Sequence, residues 1–293
     1  MNTYKNIFEL KYIPIRVCLV AMENATLPEY LGSTIRGVIG QALYQNQEAY
    51  QYIYQNRKLS DNKQDIVNPY IIVPSQEERT KYKRGEQLFF EIRLFGDAKK
   101  YMKELIEALE KIDLYGLGVS RYKFTLDKVI QPCSQRIIWQ DRQYIELAAK
   151  SVSLPCLHLK HVKKARLYLQ TPLRIRRGGK LLLDIDFPTI IRNITSRIET
   201  LTRRYGGTID ESEMIRVNNL AKDVLISEKE IRLKEMNRYS NRLNQKMDFS
   251  GLQGMIEFEG KLDDFVPWIY AAQTIHIGRN TTFGMGKIEV EFL

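Results

Sequence analysis

Two motifs of one shape, aromatic-Gly-aliphatic-Gly, stand at matching places in this 293-residue chain. The first is Tyr115-Gly116-Leu117-Gly118 and the second is Phe283-Gly284-Met285-Gly286. Each follows a helix-patterned stretch and leads into a strand-patterned one. A junction repeated in this way constrains the elements around it to repeat as well.

In the first half, residues 6–21 are rich in Ile, Leu, Val, Phe and Tyr and read as a strand. A largely helical stretch follows over Glu29–Tyr54, with Thr26 as its N-cap and Pro28 in its first turn. Ile66–Pro74 and Gln87–Phe95 read as strands, the second by its alternation. Ala98–Asp113 is an amphipathic helix with Tyr101, Leu105, Leu109 and Ile112 on one face, and Tyr122–Ile130 is a strand. The second half gives a strand at Ala165–Arg174, helices at Pro188–Tyr205 and Ser212–Ile226, and strands at Ile231–Asn237 and Leu252–Glu259. A helix at Asp264–Ile275 and a strand at Lys287–Leu293 close it. Both halves read strand, helix, strand, strand, helix, strand, with insertions. This order predicts an α+β fold of two tandem ferredoxin-like, RRM-like domains with four-stranded antiparallel sheets. The expected domains are residues 1–131 and 163–293, joined by a connector over 132–162 that packs on the second.

The charge balance narrows the function. Forty-five Lys and Arg oppose 35 Asp and Glu, a net charge of +10. Such a surplus favours a polyanion. The apolar runs are far shorter than a membrane span, the N-terminus lacks a signal-peptide core, and no basic helix stands apart as an anchor. A nucleic acid is therefore the favoured partner, no membrane contact is expected, and a cytoplasmic location is expected. Cys18, Cys133 and Cys156 show no metal-ligand spacing, and no metal or other cofactor is expected.

Basic residues cluster at three places. Arg174, Arg176, Arg177 and Lys180 surround Gly178-Gly179 as a hairpin-like tip. Arg238 and Arg242 flank Tyr239, combining charge with a stacking face. The third place is the loop His276-Ile277-Gly278-Arg279-Asn280-Thr281-Thr282-Phe283-Gly284-Met285-Gly286-Lys287. Its glycines permit close backbone approach, so Gly278, Arg279, Thr281, Thr282, Gly284, Gly286 and Lys287 are expected against a phosphate backbone. An ordinary turn before a terminal strand is the alternative reading of this loop.

Five stretches, in order, carry a resemblance to a known family. Leu31–Gly40 resembles the LGxxLRGxxG helix of the RAMP superfamily, and Tyr82–Gly96 its central strand. Thr171–Arg174 resembles the start of its second domain, Arg238–Arg242 its RYSxRQ segment, and His276–Gly286 its C-terminal glycine-rich loop. The chain as a whole resembles the CRISPR repeat-processing endoribonucleases of the branch with a C-terminal RAMP domain. The resemblance implies that CRISPR repeat RNA is the partner, together with other CRISPR effector subunits. It implies a single metal-independent cut, in which the 2′-hydroxyl attacks the neighbouring phosphate and leaves 2′,3′-cyclic phosphate and 5′-hydroxyl ends.

That chemistry needs a base, an acid and cations for the phosphorane charge. Only three histidines are present, and His158 and His161 sit in the connector. His276 borders the glycine-rich loop and is the leading candidate, with a buried structural role as its rival. Many family members place a catalytic His just after the first helix. Here Leu43–Lys58 has none and offers tyrosines and cations instead. Tyr44 and Lys58 are therefore the other catalytic candidates. The missing His favours the alternative, a non-catalytic RNA-binding subunit of a CRISPR effector complex on the same fold, while the intact C-terminal loop favours the enzyme.

Overall fold

The computed structural model describes residues 6–55, 67–75, 79–240 and 245–293. They form two compact units, 11–153 and 6–10 with 154–293.

The N-terminal unit contains β1 (Phe8–Ala21) from Lys11 onward, α1 (Gly32–Leu43), α2 (Gln47–Gln55), β2 (Tyr70–Pro74), β3 (Gln87–Phe95), α3 (Met102–Glu110) and β4 (Phe124–Gln131). The strand order is β2–β3–β1–β4, antiparallel throughout. With the first and third strands central, this is the ferredoxin-like arrangement. Alternation in β3 explains its place: Leu88, Phe90, Ile92 and Leu94 are buried while Gln87 and Phe89 are exposed. The buried set joins Ile35 and Ile39 of α1 and Leu105 and Leu109 of α3 in one core.

Two expectations fail in this unit. Thr26 caps no helix, because Ala25–Thr26 forms a short strand with Lys81–Tyr82. The helix starts at Gly32 after Leu31, without a side-chain cap. Residues 132–153 extend the first sheet, where packing on the second domain was expected. β5 (Arg136–Gln140) pairs with β4, and the buried Trp139 donates its indole N–H to Glu110 at 3.1 Å. Val152–Ser153 then pairs with Lys11–Tyr12. The outer edge of β4 was open to pairing, and Ile138 and Trp139 supplied an apolar face for it.

The C-terminal unit contains β6 (Lys164–Leu173), a hairpin of β7 (Arg176–Arg177) and β8 (Lys180–Leu181), α4 (Phe187–Tyr205) and α5 (Glu211–Leu220). Next come β9 (Leu225–Lys234), a hairpin of β10 (Asn237–Ser240) and β11 (Gln245–Asp248), β12 (Gly251–Glu259), α6 (Val266–Ile275) and β13 (Ile288–Phe292). Its sheet runs β9–β12–β6–β13, antiparallel throughout, again with first and third strands central. α4 starts at Asp186, whose carboxylate accepts the Thr189 N–H at 2.9 Å, with Pro188 in the first turn. Its stripe of Ile190, Ile194, Ile198 and Leu201 is fully buried. The helix expected over Ser212–Ile226 ends at Leu220, because Leu225 onward is taken up by pairing with β12.

Candidate nucleic-acid interface

The glycine-rich loop lies where β6 ends and β12 and β13 begin. It is folded inward on its own hydrogen bonds. Ile277 N–H donates to Gly286 O at 2.9 Å, Gly286 N–H to Pro172 O at 3.1 Å, and Arg279 N–H to Arg174 O at 2.8 Å. Gly284 N–H donates to Thr281 O at 2.9 Å, and Lys287 N–H to Thr171 Oγ1 at 2.9 Å. These amides are not available to a phosphate. The glycines serve packing: a Cβ on Gly278 would lie 2.5 Å from Arg174 O, and one on Gly286 would lie 1.8 Å from Ile277 O. Gly284, Gly286, Thr281 and Thr282 are buried. The expectation that these four residues touch RNA is therefore not met. Gly278 is half-buried. Lys287 is largely covered, its Nζ 3.7 Å from Glu289. Arg279 is the exposed cation of the loop.

His276 is corrected in the same way. It is wholly buried, and its Nδ1 lies 3.2 Å from Met285 O, so Nδ1–H donates across the base of the loop. It ends α6 with φ 56 and ψ 165, a region otherwise kept to glycine. A ring so enclosed cannot reach a 2′-hydroxyl, and its role is to turn and anchor the chain. His276→Gly relieves the backbone where His276→Ala does not. The glycine variant is expected to be more stable than the alanine variant by about 1 kcal/mol or more, measured by thermal melts. The same or the reverse order of melting temperatures would contradict this role.

Arg197 was missed by sequence reasoning, although an arginine within the apolar stripe of α4 was a signal. It is buried, and burial pushes its guanidinium down to about 10. Its Nε donates to Ile275 O at 2.8 Å and its Nη2 to Thr281 Oγ1 at 2.9 Å. It thereby ties both ends of the loop's first half to α4. Arg174 is also structural. It is 3 % exposed and donates to Ser250 O and, at 3.2 Å, to Asp248. Arg238, half-buried, lies over the rings of Phe283 at 4.7 Å and Phe249 at 5.5 Å, a cation–π contact that braces the loop.

Of the described candidate cations, Arg176, Arg177, Lys180 and Arg279 face solvent. The first three sit on the β7–β8 hairpin, whose Gly178 and Gly179 have φ 57 and 80 and nothing within 4 Å of an added Cβ. The bond from Arg279 N–H to Arg174 O holds the loop beside the base of that hairpin. The open face of the sheet is different in character. There Arg166 reaches Glu257 at 2.7 Å and Glu291 at 3.3 Å, and Lys164 reaches Glu257 at 3.1 Å. Hydrogen bonds from Arg166 and then Lys164 hold the Glu257 carboxyl down to about 2. That face neutralises itself, so the cationic end of the sheet is the surface suited to RNA.

Residues 167–288, which hold this end, match the family model of the CRISPR-associated endoribonuclease Cas6. Over that segment the chain is similar to the Cas6 endoribonucleases. A second model, described as an N-terminal domain, matches residues 10–151. The fold resembles a Cas6 product complex with a TM-score of 0.60 at 14% identity, over 96% of this chain and 99% of that one. It resembles Thermus thermophilus Cas6 with a TM-score of 0.60 at 12% identity, over 97% and 99% of the two chains. A partial Cas6-RT-Cas1–Cas2 complex gives a TM-score of 0.63 at 11% identity, over 97% of this chain and 46% of that one. No curated protein matches in sequence.

Of the remaining candidates, Lys58 and Arg242 lie outside the described residues, as does the side chain of Tyr239. Tyr44 is 56% exposed at the end of α1 and meets Tyr50 edge-on at 5.0 Å. Tyr50 stacks on Tyr54 at 5.5 Å, and Tyr54 on Tyr70 at 5.2 Å. His158 is half-buried, with Nε2 3.5 Å from Cys156 Sγ, and burial lowers its pKa. Among the described residues, no three His, Cys, Asp or Glu side chains converge as a metal-ligand set, and no helix is long and apolar enough to cross a membrane.

Proposed function

We propose that this chain binds the repeat of a CRISPR precursor transcript and cuts it once, without metal, in the cytoplasm. The observation that carries the reading is the Cas6 match over residues 167–288, which bear the cationic sheet end. In the proposed step the 2′-oxygen attacks phosphorus and the bond from phosphorus to the 5′-oxygen breaks. The 2′-hydroxyl proton leaves to a base, and a proton is delivered to the 5′-oxygen. Arg176, Arg177, Lys180 and Arg279 hold the phosphates and offset the charge of the phosphorane. With His276 enclosed, the cut depends on in-line positioning and on hydrogen-bond donors. Tyr44, exposed in the N-terminal unit, stays a candidate donor to the RNA and not a base, since a phenol is a poor base at neutral pH. Other CRISPR subunits are the further partners of this reading; a solved relative is a Cas6-RT-Cas1–Cas2 complex.

The burial of His276 favours one second reading, an RNA-binding subunit that does not cut. Incubation of the purified chain with repeat RNA in EDTA separates the two. One cut within the repeat is expected. Tight binding with intact RNA would favour the second reading.

A further inference from the structure

The N-terminal unit finishes its sheet as the C-terminal one does. In the C-terminal unit the cationic end lies where the first strand ends and the third and fourth begin. The matching end of the N-terminal unit is where β1 stops, with Val20 opposite Gln87 of β3 and Ala21 opposite Phe124 of β4. The last strand is entered through a Gly-x-Gly turn in both. Gly116 and Gly118 have φ 70 and 75, and Gly284 and Gly286 have φ 83 and 69.

This second end also carries exposed cations. Lys83 and Arg84 occupy a tight turn closed by Glu86 N–H to Lys83 O at 3.0 Å, with Gly85 at φ 87. Arg121 lies in the loop between Leu117 and Tyr122, which pair with each other, and Lys123 follows. All four are exposed. The bend after β1 brings the two turns together: Asn24 Oδ1 accepts Arg84 N–H at 3.0 Å, and Glu23 Oε1 accepts Lys123 N–H at 2.8 Å. Two nearby acids, Glu23 and Glu86, accept backbone amides. Glu23 holds that amide, and Glu86 accepts Lys83 N–H at 2.6 Å while pairing with Arg79. Lys123 Nζ is partly engaged, donating to Asp113 O at 2.7 Å. With Glu86 paired to Arg79, the cations Lys83, Arg84, Arg121 and Lys123 outnumber Glu23 on this surface.

We propose that this end of the N-terminal sheet is a second phosphate-binding surface for RNA, the counterpart of the cationic end of the C-terminal unit. The inference rests on the RNA-binding reading above. Charge complementarity supports it, since a phosphodiester chain offers one anion per nucleotide to cations spread over two turns. The matching position in the repeated fold is the independent support.

The test is a full-length variant with Lys83→Ala, Arg84→Ala and Arg121→Asn. Asparagine is chosen because Arg121 has φ 53, where it is better tolerated than alanine. The affinity for a repeat-containing transcript is measured against salt. Three lost phosphate contacts reduce the slope of log affinity against log salt by about 2 on single-stranded RNA, with the melting temperature preserved. A wild-type slope in the folded variant, alongside a reduced slope for Arg176→Ala/Arg177→Ala, overturns this inference alone and points to an acidic protein as the occupant. A wild-type chain with no salt-dependent affinity for RNA overturns both this inference and the RNA reading beneath it.

Discussion

Gly286→Ala is expected to unfold the C-terminal unit, whereas Gly178→Ala costs about 1 kcal/mol. Both glycines have positive φ, at 69 and 57. They differ in surroundings. An added Cβ on Gly178 has nothing within 4 Å, while one on Gly286 would lie 1.8 Å from Ile277 O and 2.9 Å from Ile277 C. Gly286 is also pinned on both sides, its carbonyl accepting from Ile277 and its N–H donating to Pro172. The chain cannot give way without releasing Ile277 and Met285, neither of which is exposed to solvent. A cost above about 4 kcal/mol is expected, in the exceptional range for one substitution. Thermal melts of the two variants measure the contrast. Similar melting temperatures would contradict the view that the loop is held by backbone packing.

The contrast shows what could be read in the sequence. The element order was legible because its period is strong: Gln87–Phe95 alternates and forms that strand, and the apolar face of Pro188–Tyr205 becomes a buried stripe. The glycine-rich loop was legible as a special place, but its purpose was not. Spacing shows that glycines allow close approach and cannot show what approaches; here it is Arg174 O and Ile277 O rather than a phosphate. His276 carried the helical spacing of Ile269 and Ala272, yet the turn at φ 56 that encloses it has no local sequence signature. Arg174 looked like part of a basic run and is drawn inward by Ser250 and Asp248, which are 76 and 74 residues away in the chain. Contacts at that separation are set by tertiary packing.

Replacing Arg176, Arg177 and Arg279 together by Ala is expected to cause the largest loss of RNA affinity. All three are exposed, so the fold is expected to hold. Arg177 gives up a contact to Thr189 Oγ1 at 3.3 Å, which is minor for a surface side chain. Each lost contact removes about 0.7 from the salt slope on single-stranded RNA, or about 2 for the three. Affinity at low salt is expected to fall by about tenfold or more. Arg174→Ala makes the opposite control. It removes a buried, paired guanidinium, so the melting temperature is expected to drop while the salt slope of the remaining folded protein stays near wild type. A triple variant with an unchanged slope would move the RNA away from this end of the sheet.

The proposed reaction, cleavage of repeat RNA through the 2′-hydroxyl beside the scissile phosphate, has a direct test. The direct measurement uses saturating protein, EDTA, and two repeat RNAs that differ only by a 2′-deoxy nucleotide at the cut. The account predicts one cut in the all-ribose RNA, with a 2′,3′-cyclic phosphate on the upstream fragment. It predicts no cut in the deoxy RNA, which still binds with the same affinity. Equal cleavage of the two RNAs, or no cleavage of an all-ribose repeat that is fully bound, would contradict it.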